Sequence, residues 1–324
     1  MKHLLPKDLS IPEIQRLLQG GVGPRPIALV STISKDGISN LSPFSFFNVF
    51  GANPPIIAFS PSRRGKDASL KDTYLNIIET KECVVQAVTF DMVEQVSLAS
   101  TEYEKGIDEF IKSGLTPIDS DLVKAKRVKE SPFQMECNLL DMMSYGSAGA
   151  SANFAICEVV KFHVNEDIFE NGLIHPDKID LVARMSGNFY CRASGDNIFE
   201  VEKPIAKKGI GYDQIPDFMR GSKVYSANNL GKFANIESIP SMDAVNDYIK
   251  EVSLSNITEF EQSKLVYDKY KSDKNFTSML YFILKESNLD IADKKTLLEE
   301  TAKIALESNH TESAWKIALY AGSK

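Results

Sequence analysis

The sequence has little of what defines several large protein classes. Its 324 residues include only four cysteines and four histidines, and neither forms the closely spaced pairs typical of zinc sites or redox-active thiols. It has no run of about 18 apolar residues, so no membrane-spanning helix is expected. It also lacks excess positive charge: the net charge is -7, which argues against nucleic acid as a partner.

The cysteines and the N-terminus both indicate a cytoplasmic protein. Three of the cysteines lie in apolar, strand-like segments, which favours buried, reduced thiols over a disulfide or a metal site. The four positions are Cys83, Cys137, Cys157 and Cys191. The N-terminus carries charges and prolines where a signal peptide has an apolar core. We therefore expect a cytoplasmic protein without a bound metal.

Glycine and proline nearly disappear from the C-terminal region. Proline is absent after Pro240, and glycine returns only at Gly322. Helix formers with helical periodicity replace them. The sequence therefore predicts two domains, 1–240 and 241–324, the second all-α, with Trp315 in a packed helix and with an unknown role. Its predicted helices span residues 242–252, 258–271, 275–287, 291–308 and 312–321.

Short strand-like segments fill the first domain. Predicted strands cover residues 27–33, 56–59, 82–88, 133–143 and 153–165, with one more through Asn40 and Ser42 to Pro43. Asp36-Gly37 supplies the positive φ angles of a tight turn. Short strands between turns favour an antiparallel barrel or sandwich. Predicted helices cover residues 11–19, 72–80, 92–103 and 107–112, and residues 203–240 are interpreted as an arm packed over the core.

A basic loop precedes the predicted helix 72–80. It contains Ser62, Arg63, Arg64 and Lys66, and Lys71 stands just before the helix. Guanidinium, ammonium and hydroxyl groups beside the free N–H groups of a helix start bind a phosphate dianion well. Taken alone, however, the loop is more simply interpreted as a solvated surface loop.

Residues 42–48 mix aromatic with hydrogen-bonding side chains. Ser42, Ser45 and Asn48 bring hydroxyl and amide groups among three phenylalanines. The isoalloxazine ring of a flavin needs both kinds of contact, hydrogen bonds along its pyrimidine edge and apolar contact on its face. The competing interpretation is an aromatic core strand, in which Phe44 and Phe47 face the core.

Several motifs follow one another in an order typical of one family. They are RPIALVST, DG, N-x-SPFSFFN, PPIIAFSP, the arginine-rich loop, KDTYLNI, EF, GLT, FQMECN, FAICEVVKFHV, RMSGNFY, IGYDQIP and NNLG. Over residues 20–240 the chain thereby resembles the flavin reductase-like branch of the FMN-binding split-barrel family, which includes flavoredoxin. Two segments depart from the pattern: Ser186 replaces the first glycine of a Gly-Gly pair, and residues 93–97 match loosely.

The resemblance implies a fold that is mainly β with α. It would be a six-stranded, antiparallel, Greek-key-like split β-barrel, followed here by the all-α module. The resemblance also implies a homodimer with FMN bound at or near the dimer interface.

Carried over residue by residue, the resemblance implies which side chains surround FMN. Those expected beside the ring or the ribityl chain are Ser31, Thr32, Ser45, Phe46 and Asn48. Those expected to bind ribityl or phosphate oxygens are Ser60, Arg64, Lys71 and Thr73. Arg184 and Tyr190 are expected on the substrate side, near the pocket mouth. The resemblance implies no catalytic acid, base or nucleophile.

The implied reaction is hydride transfer between NADH or NADPH and a flavin. Direct transfer needs positioning and a polar environment, and it needs no general base. The leading prediction is therefore an NAD(P)H-dependent flavin reductase acting on bound or free flavin. The alternative is a flavoredoxin-like FMN electron-transfer protein reduced by a redox protein partner. A third interpretation, a scaffold for the helical module, leaves the hydroxyl, amide and basic groups unexplained.

Overall fold

The computed structural model describes residues 1–104, 106–203, 207–255, 264–287 and 289–324. It divides the chain into two units, Met1–Glu200 and Val201–Lys324. Within the described ranges no helix combines the length and the hydropathy that crossing a membrane requires.

The strands of the described residues all belong to the first unit. In chain order they are β1 (Arg25–Pro26), β2 (Ala28–Ile33), β3 (Ser39–Phe44), β4 (Phe47–Ala52), β5 (Pro55–Phe59), β6 (Glu82–Gln86), β7 (Pro117–Ile118), β8 (Arg127–Val128), β9 (Phe133–Tyr145), β10 (Ala152–Val164), β11 (Phe169–Glu170), β12 (Leu173–Ile174), β13 (Val182–Arg184) and β14 (Tyr190–Arg192).

The α-helices occur in both units, and the long ones are concentrated in the second. In chain order they are α1 (Ile11–Gly21), α2 (Asp72–Thr80), α3 (Val93–Leu98), α4 (Glu109–Ser113), α5 (Pro176–Ile179), α6 (Asp217–Arg220), α7 (Ala227–Ala234), α8 (Met242–Leu254), α9 (Lys264–Ser272), α10 (Phe276–Lys285), α11 (Ile291–Glu307) and α12 (Thr311–Gly322). Short 3-10 helices cover Pro6–Asp8, Phe90–Met92, Glu166–Ile168, Gly195–Asn197 and Tyr212–Gln214.

One antiparallel sheet of seven strands organises the first unit. Its strand order is β3-β2-β6-β9-β10-β5-β4, so β3 and β4 form its two edges. The two edges do not pair with each other, as a split barrel requires. The prediction of an antiparallel split barrel followed by helices is confirmed, although the sheet has seven strands where six were expected.

Strand β2 is buried on both faces, because the sheet is covered on both sides. Val30 packs with Phe59 and neighbours inside the barrel. Leu29 packs on the opposite face with Phe110 of α4. Apolar residues at consecutive positions therefore each gain a buried contact, which explains the apolar run Ala28–Val30 at the start of β2.

The predicted burial of three cysteines is confirmed. Cys83, Cys137 and Cys157 are buried inside the barrel, and Cys191 is half-buried. Hydrogen bonding to Cys137 and burial together raise the pKa of the Cys83 thiol. The thiol therefore stays protonated and unreactive at neutral pH.

Some local predictions in the first unit were wrong. The predicted helix 92–103 is α-helical only in α3, because the Ser100 hydroxyl donates to the Ser97 carbonyl at 2.6 Å and competes with the helical pattern. The predicted helix 107–112 begins instead after Asp108, whose carboxylate accepts the Phe110 N–H. The prediction that Gly114 ends this helix is confirmed, since Gly114 is its C-cap with φ +70°. Strand β4 was not predicted.

The segment predicted as an arm over the barrel core belongs instead to the core of the second unit. Phe233 packs edge-to-face against Trp315 at a centroid distance of 5.2 Å. The Trp315 indole N–H also donates to the Phe233 carbonyl at 3.0 Å. Ile215 and Met219 are buried in the same cluster. The unit boundary accordingly lies after residue 200, whereas the sequence placed a domain boundary after residue 240.

Helices α8, α10, α11 and α12 agree with the predicted positions to within a few residues, whereas α6 and α7 were not predicted. Of the predicted helix 258–271, residues 258–263 lie outside the described residues. The rest of it forms α9. Trp315 is fully buried in α12, which confirms the predicted packed helix.

Candidate functional site

A polar cleft opens in the first unit between β3, the start of α2 and the turn that follows α3. Polar side chains line it from all three sides, and they include Asn40, Ser42, Arg64, Lys71, Thr73 and Glu109. Residues 99–103 form the remaining wall. Three residues predicted to bind FMN are thus brought together: Arg64, Lys71 and Thr73.

The basic loop that supplies Arg64 is held in place by close backbone contacts. The Arg63 N–H donates to the Ser151 carbonyl at 3.0 Å, and the Ala150 N–H donates to the Arg63 carbonyl. A Cβ atom on Gly149 would lie 2.5 Å from the Gly65 carbonyl oxygen, so only glycine permits this approach. The Gly/Ser/Ala loop between β9 and β10 therefore fixes the basic loop.

Lys71 is the N-cap residue of α2, and its ammonium group faces the cleft without a partner. The side chain is half-buried, and in the described part of the chain it makes no ion pair or hydrogen bond. Burial, and then the nearby Arg64 charge, lower the pKa of Lys71. A half-buried cation at a helix N-terminus, with its donors unused, is suited to binding an anion.

Arg64 is held across the cleft by four neighbours, one of which is the Ser69 hydroxyl at 3.3 Å. Its guanidinium donates to the Leu70 carbonyl at 2.6 Å and to the Asp72 carboxylate at 3.2 Å. Its Nε lies 3.7 Å from a carboxylate oxygen of Glu102. Arg64 is therefore positioned by Leu70 and Asp72, and the exposed Glu102 occupies a place that another anion could take.

Behind the cleft, amide and hydroxyl groups join β2, β3 and α2. The Asn40 amide donates to the Thr32 hydroxyl at 3.1 Å and to the Thr73 hydroxyl at 3.0 Å. The Asn76 amide also donates to Thr32. These four residues are buried. The network orients Asn40 and Thr73, which line the cleft. Thr32 does not line the cleft and lies behind Asn40 and Thr73.

Glu109 adds a carboxyl group to the cleft. One of its oxygens accepts the Leu41 N–H at 3.1 Å. Burial raises the pKa of Glu109, although that hydrogen bond opposes the shift. This carboxyl is therefore more easily protonated than an exposed glutamate.

The structure does not bring two of the predicted hydroxyls to the cleft surface. Ser31 is fully buried, and its hydroxyl donates to the Lys126 carbonyl. The alternation of β2 directs it to the face opposite Thr32. Ser60 is also buried and bonds to the Ser62 hydroxyl at 2.9 Å.

The predicted ring contacts lie at the turn between β3 and β4. The Ser45 hydroxyl lies 3.5 Å from Nε of Arg25, whose guanidinium carbon is 5.9 Å from the centroid of the Phe46 ring. Phe46 is 42% exposed. Asn48 is exposed, and its side-chain oxygen accepts the N–H of Val49. These groups remain accessible, outside the lining of the polar cleft.

The predicted substrate-side residues are neighbours in a separate sheet of three strands, β1-β13-β14. Arg184 pairs with Tyr190 across β13 and β14. The guanidinium carbon of Arg184 lies 4.5 Å from the centroid of the Tyr190 ring, a cation–π contact.

Sequence reasoning placed Ser42 in the polar and aromatic segment 42–48 but did not assign it a contact with FMN, and it missed several other residues that line the cleft. Asn40 and Ser42 alternate with the buried Leu41 along β3, and this period of two was available as a signal of a polar face. Ser100 and Thr101 were not recognised as cleft residues, because the sequence predicted that helix 92–103 includes them. Glu109 was read only as part of a family motif.

Outside the cleft, Asp121, Glu136 and His163 place their side-chain ligand atoms within 4.8 Å of one another. Glu136 is fully buried, and it already accepts hydrogen bonds from the N–H groups of residues 121, 122 and 123. His163 Nε2 lies 2.6 Å from the same carboxylate. Because both oxygens of Glu136 are satisfied by protein groups, we assign this cluster a structural role.

Comparison with known proteins identifies a matching family and similar sequences. The family described as "Flavin reductase like domain" matches residues 21–179. An uncharacterized protein of Aquifex aeolicus (strain VF5) is 38% identical over 191 residues, which is 59% of this chain and 95% of that protein.

Two solved structures are also similar. Nitrilotriacetate monooxygenase component B from Bacillus cereus has a TM-score of 0.58 and 32% sequence identity, covering 62% of this chain and 98% of that one. The 2-nitrobenzoate 2-nitroreductase of Pseudomonas fluorescens has a TM-score of 0.56 and 26% identity, covering 65% of this chain and 100% of that one. Both matches leave part of this chain uncovered.

Proposed function

Because the chain belongs to the flavin reductase-like family, we propose that it binds FMN in the polar cleft and catalyses hydride transfer from NADH or NADPH to flavin. The observation that carries this proposal is the Lys71 ammonium group. It is half-buried, faces the cleft beside Arg64 and Thr73, and has no acceptor among the described residues. A phosphate ester supplies the acceptor oxygens that these donors lack.

The chemistry of the lining fits each part of FMN. Lys71, Arg64 and the Thr73 hydroxyl would hold the phosphate at the start of α2. Ser42 and the side-chain oxygen of Asn40 would hold ribityl hydroxyls, since the Asn40 amide N–H groups are already used within the protein. Ser45, Phe46 and Asn48 would contact the isoalloxazine ring.

When bound, FMN supplies reversible two-electron chemistry. The protein's own contribution is to hold the phosphate charge, orient the ribityl chain and place an apolar face at Phe46 against the ring. Arg184 and Tyr190 would line the substrate side. No residue of the cleft has to remove a proton, so the reaction depends on positioning.

The proposal is tested by adding NADH or NADPH to the purified full-length protein with FMN in the absence of oxygen. We expect the visible absorbance of the flavin to bleach. Binding of FMN without bleaching by either nucleotide would favour the alternative, an electron-transfer protein reduced by a protein partner. Absence of FMN binding would contradict both functions.

Glu102 is expected to weaken FMN binding in the native protein. Its carboxylate lies 3.7 Å from Nε of Arg64, at the place proposed for the phosphate. We predict that Glu102→Gln lowers the dissociation constant for FMN about threefold at low salt, a modest effect because this side chain is largely exposed. Riboflavin, which lacks the phosphate, should bind equally to both proteins, and equal strengthening for both ligands would contradict the assignment.

We also propose that the protein is a homodimer that uses the outer surface of the large sheet. Large apolar side chains are exposed there on β4, β9 and β10: Phe50 is 68% exposed, Tyr145 60% and Phe154 41%. Phe154 lies opposite Met143 in the ladder, and its ring contacts Tyr145 edge-on. Adjacent exposed apolar groups of this size are typical of an interface.

Sedimentation velocity tests the dimer. The wild-type protein is expected at twice the chain mass of 36.0 kDa, and Phe50→Glu is expected as a monomer because it places a charge in the apolar surface. Ile111→Glu, at a residue of α4 that is 79% exposed, is the control and should remain dimeric. A monomeric wild type, or a dimeric Phe50→Glu, would contradict this interface.

A further inference from the structure

The sheet β1-β13-β14 places three arginines on one face. Arg25 pairs with Arg184 in the ladder between β1 and β13, and Val182 pairs with Arg192 between β13 and β14. Directly paired residues, and residues two apart on a strand, share a face. Arg25, Arg184, Arg192, Tyr190 and Val182 therefore belong to the same surface.

Arg25 contributes a positive charge that no carboxylate neutralises. It is 6% exposed, and its guanidinium donates to the carbonyls of Gln19 and Val22, both at 2.7 Å, and of Met185 at 2.9 Å. Within the described residues none of its partners is acidic. Burial, and then the Arg184 charge, lower the pKa of Arg25. Its charge adds to the positive potential at Arg184.

Arg192, by contrast, is fully paired. Two of its nitrogens donate to the two carboxylate oxygens of Asp180, both at 2.7 Å. Its guanidinium carbon lies 4.0 Å from the centroid of the Phe90 ring. Asp180 and Phe90 thus hold the Arg192 side chain in place, and the Asp180 carboxylate balances its charge.

Arg184 is the arginine of this face whose donors are free. It is half-buried, and over the described ranges the only polar or ring contact of its side chain is the cation–π contact with Tyr190. The N–H groups of this guanidinium therefore have no protein acceptor among the described residues, and a carboxylate can take two of them in parallel hydrogen bonds. The Arg184 guanidinium has no carboxylate partner among the described residues, and the neighbouring positive charge of Arg25 increases the attraction of Arg184 for an anion.

An apolar cavity adjoins this arginine through Tyr190. Its volume is about 230 Å³, and its lining includes Phe90, Val93, Val182 and Tyr190. Glu94, Ser97 and Arg192 complete the lining, and Arg184 lies outside it, next to the lining residue Tyr190. A cavity of about 150 Å³ holds benzene, so this one has the volume of a single aromatic ring with a small substituent.

We infer that the substrate side takes a planar aromatic acid, with its ring in the Phe90–Tyr190 cavity and its anionic group on the N–H edge of Arg184. This inference deepens the proposed function and rests on it for the assignment of this face as the substrate side. Arg184 is then a specificity-determining residue, because it distinguishes an anionic ring from a neutral one of equal shape.

Ligand-observed NMR on the full-length protein tests the inference with benzoate and its uncharged isostere benzamide. The wild type is expected to bind benzoate about tenfold more tightly than benzamide. Arg184→Gln should bind both equally, whereas Arg184→Lys, which keeps the charge, should retain part of the preference. Arg220→Gln, an exposed arginine of the second unit, is the control and should behave as wild type.

Equal binding of the two compounds by the wild type, binding of neither, or an undiminished preference in Arg184→Gln would overturn the inference. An FMN titration of the same samples separates the two claims. FMN binding without a preference for benzoate rejects only the aromatic acid. A preference for benzoate that depends on Arg184, without FMN binding, rejects the flavin function and leaves the anion site.

Discussion

Replacing Lys71 by methionine should raise the dissociation constant for FMN about 30-fold, while riboflavin binding changes little. Methionine keeps the apolar stem of the side chain and removes only the charged donor. The ammonium group is half-buried and has no partner among the described residues, so its loss leaves no protein group unpaired. The effect should therefore report the contact with the phosphate.

Lys71 is a sharper probe than Arg64. The Arg64 guanidinium also donates to the Leu70 carbonyl and the Asp72 carboxylate, so its removal would disturb the loop and the start of α2. Lys66→Met is the matched control, because Lys66 is an exposed lysine of the same basic loop. The control should leave FMN binding unchanged. Equal weakening of FMN and riboflavin by Lys71→Met would show that the phosphate lies elsewhere.

Replacing Glu136 by alanine should destabilise the first unit by about 3–5 kcal/mol. The fully buried carboxylate accepts three backbone N–H groups, from residues 121, 122 and 123, as well as the contact from His163. Alanine would leave those donors without acceptors. Urea unfolding followed by far-ultraviolet circular dichroism measures the change.

The control for this variant is Glu130→Ala. The Glu130 carboxylate also accepts a backbone N–H, from Thr116, but it does so in an exposed position where water can replace it. Its removal should cost less than about 1 kcal/mol. Comparable destabilisation by both variants would contradict the structural role assigned to the buried cluster.

The same carboxylate should make the first unit sensitive to acid. Burial alone would raise the pKa of Glu136, but the hydrogen bonds from Asp121, His163 and their neighbours outweigh burial and hold this pKa below its usual value. A glutamate whose pKa is lower in the folded than in the unfolded state stabilises the fold, and this stabilisation is complete above the unfolded-state pKa of about 4.3. The stabilisation is lost as the pH falls through the folded-state pKa. Glu136→Ala should therefore lose less stability on acidification than wild type.

Much of the barrel could be predicted from the sequence, because local signals and packing agree there. The apolar run of β2, the Asp-Gly turn and helix 72–80 each follow from a short-range rule. Strand β4 escaped prediction because its apolar residues do not alternate with polar ones: Val49 and Phe50 are adjacent, at a register shift of the strand. A period of two was therefore missing from its sequence.

The second unit shows why its boundary could not be predicted from composition. Glycine and proline mark residues 203–240 as irregular, and composition therefore assigned them to the barrel domain. Their apolar side chains, such as Phe233, find their partners around Trp315 in a distant part of the chain. Contacts between residues so far apart in sequence leave no local signal.

For the candidate site, the sequence predicted residues that the structure brings together, but it could not predict which side chains reach the surface of the cleft. Motif order identified Arg64, Lys71 and Thr73, which the structure brings together. It could not show that Ser31 points away from the cleft, since that depends on the direction of a side chain along β2. It also did not identify Asn40, which becomes informative only when β2, β3 and α2 pack together.

Equilibrium titration of the full-length wild-type protein with FMN, followed by flavin fluorescence, tests the central claim most directly. The cleft around Lys71 predicts saturable binding of a single FMN per chain, with inorganic phosphate competing for the site. The proposal that this chain is a flavoprotein would be contradicted by two results together. The flavin fluorescence would not change at any protein concentration, and dialysis would recover all of the added FMN.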